Sequence, residues 1–165
     1  MHKAYIALGS NLQQPQQQVL QAFRELSQLP ATRLVRQSSL YRTAPLDQHN
    51  RRHDEQPDFI NAVAEIATEM PPLALLHAIL AIEDRHGRER PFPNAPRVLD
   101  MDLLLYDNLQ THSVELTLPH PRMHERGFVL LPLAEIAPEL AIPCRGNVAE
   151  LAQACSAQGV VKIND

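Results

Sequence analysis

Residues 4–29, AYIALGSNLQQPQQQVLQAFRELSQL, open the chain with a short apolar run followed by a longer amphipathic stretch. The apolar run ends at Gly9, which predicts a buried strand over Ala4–Leu8 and then a turn at residues 9–11. From Pro15 onward, apolar side chains recur at helical spacing between Gln and Glu residues. This pattern predicts an amphipathic helix that ends before Pro30. The chain therefore begins with a strand and a helix that can cover it.

The alternation of strands and helices continues along the chain. We predict strands over Thr32–Tyr41, Phe59–Ala67 and Val98–Tyr106, a helix from Pro71-Pro72 to Gly87, and loops at residues 47–56 and 88–95. The last third is predicted as a weaker strand over Thr111–Leu118, a turn or short helix over Pro119–Arg126, a helix or strand over Gly127–Leu133 and a short helix over Val148–Cys155. The order β, α, β, β, α, β resembles the split βαβ arrangement, in which helices cover a mainly antiparallel sheet.

Length and composition indicate one globular domain over residues 1–165. The 165 residues are 44% hydrophobic and 21% charged, with a net charge of -4. These values argue against a disordered chain, a membrane span and general nucleic-acid binding. No apolar run with a positive start precedes Tyr5, so we expect no secretory signal and a cytoplasmic location. Cys144 and Cys155 lack metal-ligand spacing and are expected to be reduced thiols.

The sharpest local signal is the pair Asp100 and Asp102 in the predicted strand Val98–Tyr106. Side chains at positions i and i+2 of a strand share one face, so both carboxylates point the same way, about 6–7 Å apart. Two carboxylates on an otherwise apolar strand need a positive partner. That partner is either a hard cation such as Mg²⁺, which combines one or two carboxylates with waters and phosphates, or a structural arginine such as Arg97.

Arginine supplies 13 of the 15 basic residues, and several arginines lie near the acidic pair in sequence. Arg88 and Arg90 enter the loop before the pair, Arg97 precedes it and Arg126 follows it. A planar guanidinium suits bidentate binding of phosphate. Arginines beside metal-binding carboxylates are the combination that neutralises phosphate oxygens in phosphoryl transfer. The alternative for each arginine is a solvated charged surface.

Two histidines, His120 and His124, have the i, i+4 spacing of some zinc sites. Pro121 argues against a regular helix between them, so we favour His120 as a donor to phosphate. The other histidines are predicted to lie on the surface: His2, His49, His53, His77, His86 and His112. The sequence contains neither a P-loop nor a Gly-x-Gly-x-x-Gly motif, which disfavours a P-loop fold and a Rossmann domain.

Five motifs together resemble a known family. They are Tyr5-Ile6-Ala7-Leu8-Gly9-Ser10-Asn11-Leu12, Ser39-Leu40-Tyr41-Arg42-Thr43-Ala44-Pro45, Gln56-Pro57-Asp58-Phe59-Ile60-Asn61-Ala62, Pro96-Arg97-Val98-Leu99-Asp100-Met101-Asp102, and Leu118-Pro119-His120-Pro121-Arg122 with Arg126-Gly127-Phe128. In this order they resemble 6-hydroxymethyl-7,8-dihydropterin pyrophosphokinase, an enzyme family of folate biosynthesis. The resemblance implies a ferredoxin-like α/β (α+β) fold and transfer of pyrophosphate from ATP to the pterin with release of AMP. We expect a monomer.

The resemblance also implies residue roles. Asp100 and Asp102 would hold two Mg²⁺ ions that bridge the ATP phosphates, and Arg88 and Arg97 would contact the phosphates as catalytic residues. The other implied ATP contacts are Glu83, Arg90, Leu103, Thr117, His120 and Arg126. The implied pterin contacts are Thr43, Pro45, Leu46, Phe59, Asn61 and Phe128. Phe59 and Phe128 would sandwich the flat ring, although without the resemblance both would be read as core residues.

Some positions depart from the family pattern. Phe59 stands where a tyrosine is common, while Glu115 and Leu80 replace an arginine and a glutamine found in some members. The last two changes concern nucleotide contacts rather than the chemistry. Two other functions remain open from the residues: a non-catalytic ligand-binding module of the same fold, and a metal-dependent hydrolase that uses His120 and His124.

Overall fold

The computed structural model describes residues 1–44, 58–87 and 98–163 of the chain. The strands of this part are β1 (His2–Ser10), β2 (Thr32–Gln37), β3 (Tyr41–Thr43), β4 (Phe59–Thr68), β5 (Asp100–Tyr106), β6 (Thr111–His112), β7 (Thr117–Leu118), β8 (Ala141–Ile142), β9 (Gly146–Asn147) and β10 (Val161–Lys162). The helices are α1 (Pro15–Ser27), α2 (Pro72–Arg85), α3 (Gly127–Ile136) and α4 (Val148–Ala154), with a 3₁₀ turn at Met123–Glu125.

Six strands form the main sheet in the order β10-β3-β4-β1-β5, with β2 paired to β4 beside β3. Its described pairings are all antiparallel. The connections β1-α1-β2 and β4-α2-β5 each pass over one intervening strand. This order confirms the predicted ferredoxin-like α+β fold. The part of the chain that the structure describes has no helix long and apolar enough to cross a membrane.

The core has two layers, one on each face of the sheet. Alternate residues of β1 separate them: Ile6 and Leu8 pack with α1 and α2, whereas Tyr5 and Ala7 pack with α3 and α4. This follows from the two-residue repeat of a strand that is covered on both faces. The helices on the second face bring the C-terminal third of the chain over the middle of the sheet.

Two predicted boundaries at the start of the chain are wrong. The first strand does not end at Leu8, because Gly9 and Ser10 continue β1: Gly9 pairs with both β4 and β5, and Ser10 pairs with β4. The predicted strand Thr32–Tyr41 is two strands, β2 and β3, interrupted at Ser38. There the Ser38 backbone N–H donates to the Val63 carbonyl, and the Ser38 hydroxyl accepts from the Val63 N–H, each at 2.9 Å. Ser38 thus replaces a regular pairing with a side-chain contact.

The later predictions also need corrections. The segment Thr111–Leu118 is a hairpin of β6 and β7 rather than one strand, and Gly127–Leu133 is helical, within α3. The imidazole of His86 is only 7% exposed, so its assignment to the surface is wrong. It lies between Gln18 and Glu25 of α1 and ties α2 to that helix, with both contacts at 2.5 Å. Cys144 and Cys155 are free thiols.

Candidate active site

The acidic pair lies on the face of the sheet that α3 and α4 cover. Residues directly opposite each other in an antiparallel pair point to the same face. Asp102 is opposite Ala7, and Asp100 is opposite Gly9. Ala7 belongs to the core beneath α3 and α4. Both carboxylates therefore share that face, as their i, i+2 spacing predicts, while Met101 between them packs into the opposite core layer.

A polar amide lies on the same face, two strands away. Asn61 of β4 is opposite Gly9 of β1, so Asn61, Gly9 and Asp100 form one row across the sheet. Neighbouring strands lie about 4.8 Å apart, which separates the backbones of Asn61 and Asp100 by about 10 Å. Gly9 contributes no side chain to the row. This row, which we call the floor of the site, has the Asp100 carboxylate at one end and the Asn61 amide at the other.

Two basic residues from the second half of the chain, His120 and Arg126, lie near the acidic pair. His120 Nε2 lies 3.9 Å from Asp102 Oδ1, and the Asp102 side chain is 50% exposed, so it can reach a ligand in solvent. The backbone N–H of His120 donates to the Leu104 carbonyl at 2.9 Å, which fixes this segment to β5. Arg126 precedes α3, and its guanidinium carbon lies 5.5 Å from the centre of the Phe128 ring.

The electrostatics around His120 combine burial, Asp102 and three arginines. Burial lowers the pKa of His120; Asp102 opposes this, while Arg126, Arg145 and Arg122 lower it further. Burial also lowers the pKa of Arg126, as does Arg122, but an arginine retains its charge at any physiological pH. The site therefore presents a neutral imidazole and fixed positive charges beside a carboxylate.

A second group of predicted site residues lies around Asn61, at the β4 end of the row. Asn61, 5% exposed, donates from Nδ2 to the Thr43 hydroxyl at 2.9 Å. Thr43 is opposite Phe59 on the sheet, so Phe59 stands on the same face as Thr43. Phe128 begins α3 and is partly buried against the core on this face. The structure therefore brings four of the six predicted pterin residues to one face; Pro45 and Leu46 lie outside the described residues.

The predicted ATP residues divide into several groups. Arg88, Arg90 and Arg97 lie outside the described residues, and their roles stay predictions. Thr117 is in β7, where its hydroxyl lies 3.3 Å from His112 Nδ1. Leu103 is buried in the core beneath α1 and α2, so only its backbone is available to a nucleotide.

Glu83 has a clear structural partner in this site. Its carboxylate is buried at the end of α2, and Oε2 accepts from the backbone N–H of Met101 at 2.7 Å. Met101 lies between the two aspartates, so this bond helps to hold the acidic segment of β5 in place. A direct contact between Glu83 and ATP stays a prediction.

The donor chemistry fits Mg²⁺ better than zinc. His120 and His124 do not share a helix, because the 3₁₀ turn includes only the second of them, and their Nε2 atoms face different carboxylates, Asp102 and Glu125. Among the described residues, no three His, Cys, Asp or Glu side chains converge as a metal cage would require. Two carboxylates that solvent can reach instead suit a hard cation that takes its other oxygens from water and phosphate.

Three contributing residues were missed by the sequence analysis. Gly9 forms the floor of the site, although a glycine after an apolar run predicts a turn. The Ser10 hydroxyl donates to the Val98 carbonyl and ties β1 to the start of the acidic segment. Arg145, between β8 and β9, donates to the His120 carbonyl. The last two contacts join residues that are 88 and 25 positions apart, and no local pattern predicts them.

Comparison with known proteins decides the family. A family model described as 7,8-dihydro-6-hydroxymethylpterin-pyrophosphokinase (HPPK) matches residues 5–138. The chain belongs to the HPPK family. The matched region contains the acidic pair, the amide side of the floor and Phe128.

Individual HPPK relatives match over almost the whole chain. A 2-amino-4-hydroxy-6-hydroxymethyldihydropteridine pyrophosphokinase of Haemophilus influenzae is 43% identical, covering 99% of each chain. The enzyme of the same name from Pseudomonas aeruginosa is 40% identical, covering 99% of this chain and 98% of the relative. A crystal structure of Plasmodium falciparum HPPK-DHPS with pteroate has a TM-score of 0.72 at 14% identity, covering 93% of this chain and 42% of the longer one. At that identity the match supports the fold alone.

Proposed function

We propose that this chain transfers pyrophosphate from ATP to the hydroxymethyl group of 6-hydroxymethyl-7,8-dihydropterin and releases AMP, as a step of folate biosynthesis. The observation that carries the proposal is the row Asn61, Gly9 and Asp100 on one face of the sheet. It provides a polar anchor for a heterocycle at one end and a carboxylate for a metal-bound phosphate at the other. Membership of the HPPK family supports the same pair of substrates.

The β5 side of the floor is the proposed ATP site. Asp100 and Asp102 would hold two Mg²⁺ ions, which when bound neutralise and orient the phosphate oxygens. His120 and Arg126 would bind the nucleotide beside the acidic pair, since His120 lies 3.9 Å from Asp102 and the charge of Arg126 interacts with Asp102. A neutral imidazole can donate a hydrogen bond to a phosphate oxygen, whereas an arginine adds both charge and two parallel donors.

Three arginines outside the described residues complete the proposed phosphate contacts. Arg88 and Arg97 would neutralise the charge that develops during transfer, and Arg90 would contact ATP. Their proximity in sequence to Asp100 supports this role, because the segment that ends at residue 97 leads directly into the acidic strand. Fixed charge and orientation would supply most of the rate enhancement.

The β4 side of the floor is the proposed pterin site. Asn61 is held by Thr43, so its amide is oriented before any ligand binds. A pterin has a flat ring with amide-like polar edges, and such a ring suits an amide partner at its edge and aromatic side chains on its faces. Phe59 and Phe128 are the proposed aromatic partners. Pro45 and Leu46 would add backbone contacts.

The proposed chemistry is an in-line displacement at the β-phosphorus of ATP. The hydroxymethyl oxygen forms a bond to that phosphorus, the bond from the phosphorus to the α,β-bridging oxygen breaks, and AMP leaves with the bridging oxygen. The hydroxyl proton passes to solvent or to a phosphate oxygen, because the proposed pterin residues include no strong base. As part of the same proposal, the protein acts as a monomer in the cytoplasm without a nucleic-acid partner.

Product analysis tests which phosphorus is attacked. The purified protein is incubated with ATP, Mg²⁺ and the pterin, and the products are followed by ³¹P NMR and mass spectrometry. We expect AMP and a pterin that carries two phosphates in equal amounts. ADP with a pterin monophosphate would contradict attack at the β-phosphorus. AMP and inorganic pyrophosphate with an unchanged pterin would indicate hydrolysis rather than transfer.

A further inference from the structure

The backbone on either side of Arg126 is held by one side chain from the C-terminal segment. Gln158 accepts with Oε1 from the Gly127 N–H at 2.8 Å, and it donates with Nε2 to the Glu125 carbonyl at 3.1 Å. The two bonded backbone groups belong to the residues immediately before and after Arg126. A single amide therefore holds the backbone on both sides of Arg126, whose charge interacts with Asp102.

Close packing at Gly127 makes this pair of bonds specific. A Cβ at residue 127 would lie 3.1 Å from Gln158 Oε1, 3.2 Å from the Cys155 carbonyl and 3.3 Å from Cys155 Cβ. The absence of a side chain at Gly127 thus allows the turn after α4 to approach the start of α3. The Gln158 backbone N–H donates to the Cys155 carbonyl at 3.1 Å, which directs its side chain from within that turn.

The same C-terminal segment also touches the opposite side of the site. Beyond Gln158 the chain forms β10, in which Val161 is opposite Arg42 and Lys162 is opposite Tyr41. These residues of β3 immediately precede Thr43. One short segment is therefore bonded to the start of α3, which carries Phe128, and to the strand that carries Thr43.

We propose that Gln158 is a positioning residue for substrate binding, an inference that rests on the function proposed above. The Gln158 amide fixes the backbone from Glu125 to Gly127 and so sets the positions of Arg126 and Phe128. Gln158 lies beyond residues 5–138, the part matched by the family model. Loss of either bond would let the start of α3 move, because the first N–H groups of a helix have no partner within the helix. Gly127 N–H is one of these groups.

Two variants of Gln158 and one control test the proposal. Gln158→Met keeps the length of the side chain and removes both bonds. Gln158→Glu keeps an acceptor for Gly127 and removes the donor to Glu125. Gln153→Met makes the same change at an exposed position of α4. Each protein is assayed for KM and kcat with ATP and with the pterin, for Tm, and for hydrogen exchange at the Gly127 amide.

We expect Gln158→Met to raise the KM values by about three- to tenfold, with faster exchange at Gly127 and a Tm lower by no more than a few degrees, because each lost bond has a modest effect. The KM values and the Gly127 exchange rate of Gln158→Glu should lie between those of Gln158→Met and the wild type. Those of Gln153→Met should match the wild type. In an Arg126→Ala background, Gln158→Met should add little to the KM for ATP.

Several outcomes would overturn the positioning role. Unchanged exchange at Gly127 would show that Gln158 does not hold this backbone. Faster exchange with unchanged KM values, or a lower Tm alone, would limit Gln158 to a structural role. If the wild-type protein produces no AMP, the proposed function fails instead. Hydrogen exchange at the Gly127 amide and ATP binding by each variant then test separately whether Gln158 holds this backbone.

Discussion

The side chain of Asn61 lies directly over Gly9, such that a Cβ at residue 9 would stand 3.0 Å from Asn61 Oδ1. The amide is buried and is bonded to Thr43 on its other side. A methyl group at residue 9 would therefore displace the amide from the place in which Thr43 holds it. Gly9 lies at the middle of the floor because only a residue without a side chain leaves this space.

Gly9→Ala should weaken pterin binding through Asn61. We expect the KM for the pterin to rise by about three- to tenfold, since one hydrogen bond to the ligand is misaligned, with a smaller effect on the KM for ATP. The matched test is a double-mutant cycle with Asn61→Ala. Once Asn61 is removed, Gly9→Ala should have little further effect. Fully additive effects of the two substitutions would contradict the link between these residues.

Asp102→Asn should reduce kcat by at least about a hundredfold, because it removes a charged ligand from the proposed metal site. Asp100→Asn is expected to act similarly. Asp107→Asn, just beyond the end of the same strand, is the control: Asp107 accepts from the Lys3 N–H at 2.8 Å, at the end of β5 opposite to the site. This control should lose stability and retain turnover. Near-normal turnover by folded Asp100→Asn and Asp102→Asn proteins would exclude the metal role.

Phe128→Leu and Phe59→Leu should each raise the KM for the pterin by about tenfold through loss of ring stacking. Phe23→Leu is the matched control, because Phe23 belongs to α1 and is buried in the core on the opposite face of the sheet. That substitution should lower Tm and leave the KM for the pterin unchanged. Equal effects of all three substitutions on KM would indicate general loosening of the fold rather than contact with the ring.

Glu135 should make the link between α3 and β3 sensitive to acid. Its carboxylate accepts from the Tyr41 hydroxyl at 2.7 Å and from the Ser39 N–H at 3.0 Å. Burial by itself would raise the pKa of Glu135, but the bonds from Tyr41 and Ser39 outweigh it and lower the pKa below its ordinary value of 4.5. The stabilisation is therefore complete above pH 4.5 and is lost as the pH falls through the lower, folded-state pKa.

Glu135→Gln should consequently lower the free energy of unfolding by about 1 kcal/mol at pH 7, a modest value because the carboxylate is partly exposed. The difference from the wild type should shrink as the pH falls below 4.5. Urea denaturation at pH 7 and at acidic pH measures both values. A difference that stays constant or grows in acid would contradict the assigned role of the charged carboxylate.

The main elements could be predicted because their signals are local. The apolar repeat of Pro15–Ser27 and the paired aspartates of β5 are visible within a few residues. Gly9 was misread because glycine after an apolar run is typical of a turn. Its actual role depends on Asn61, 52 positions away in sequence and directly opposite in the sheet.

The remaining errors have the same physical origin. His86 is a polar residue at the end of a helix, where exposure is the ordinary expectation, but Glu25, 61 positions away, covers it. Gln158 lies in a polar turn with no motif, and its partners are 31 and 33 positions away. The contact of His86 depends on how α2 packs on α1, and the contacts of Gln158 depend on how the segment after α4 packs on α3. No local pattern in the sequence predicts either packing.

The most direct test of the central claim is the initial rate of AMP formation by the purified protein with ATP, Mg²⁺ and 6-hydroxymethyl-7,8-dihydropterin. Parallel reactions omit the metal or the pterin. The proposed transfer of pyrophosphate predicts that AMP forms only when both are present. A folded protein that forms no AMP under these conditions would contradict it and would favour a binding module that has this fold without the pyrophosphokinase activity.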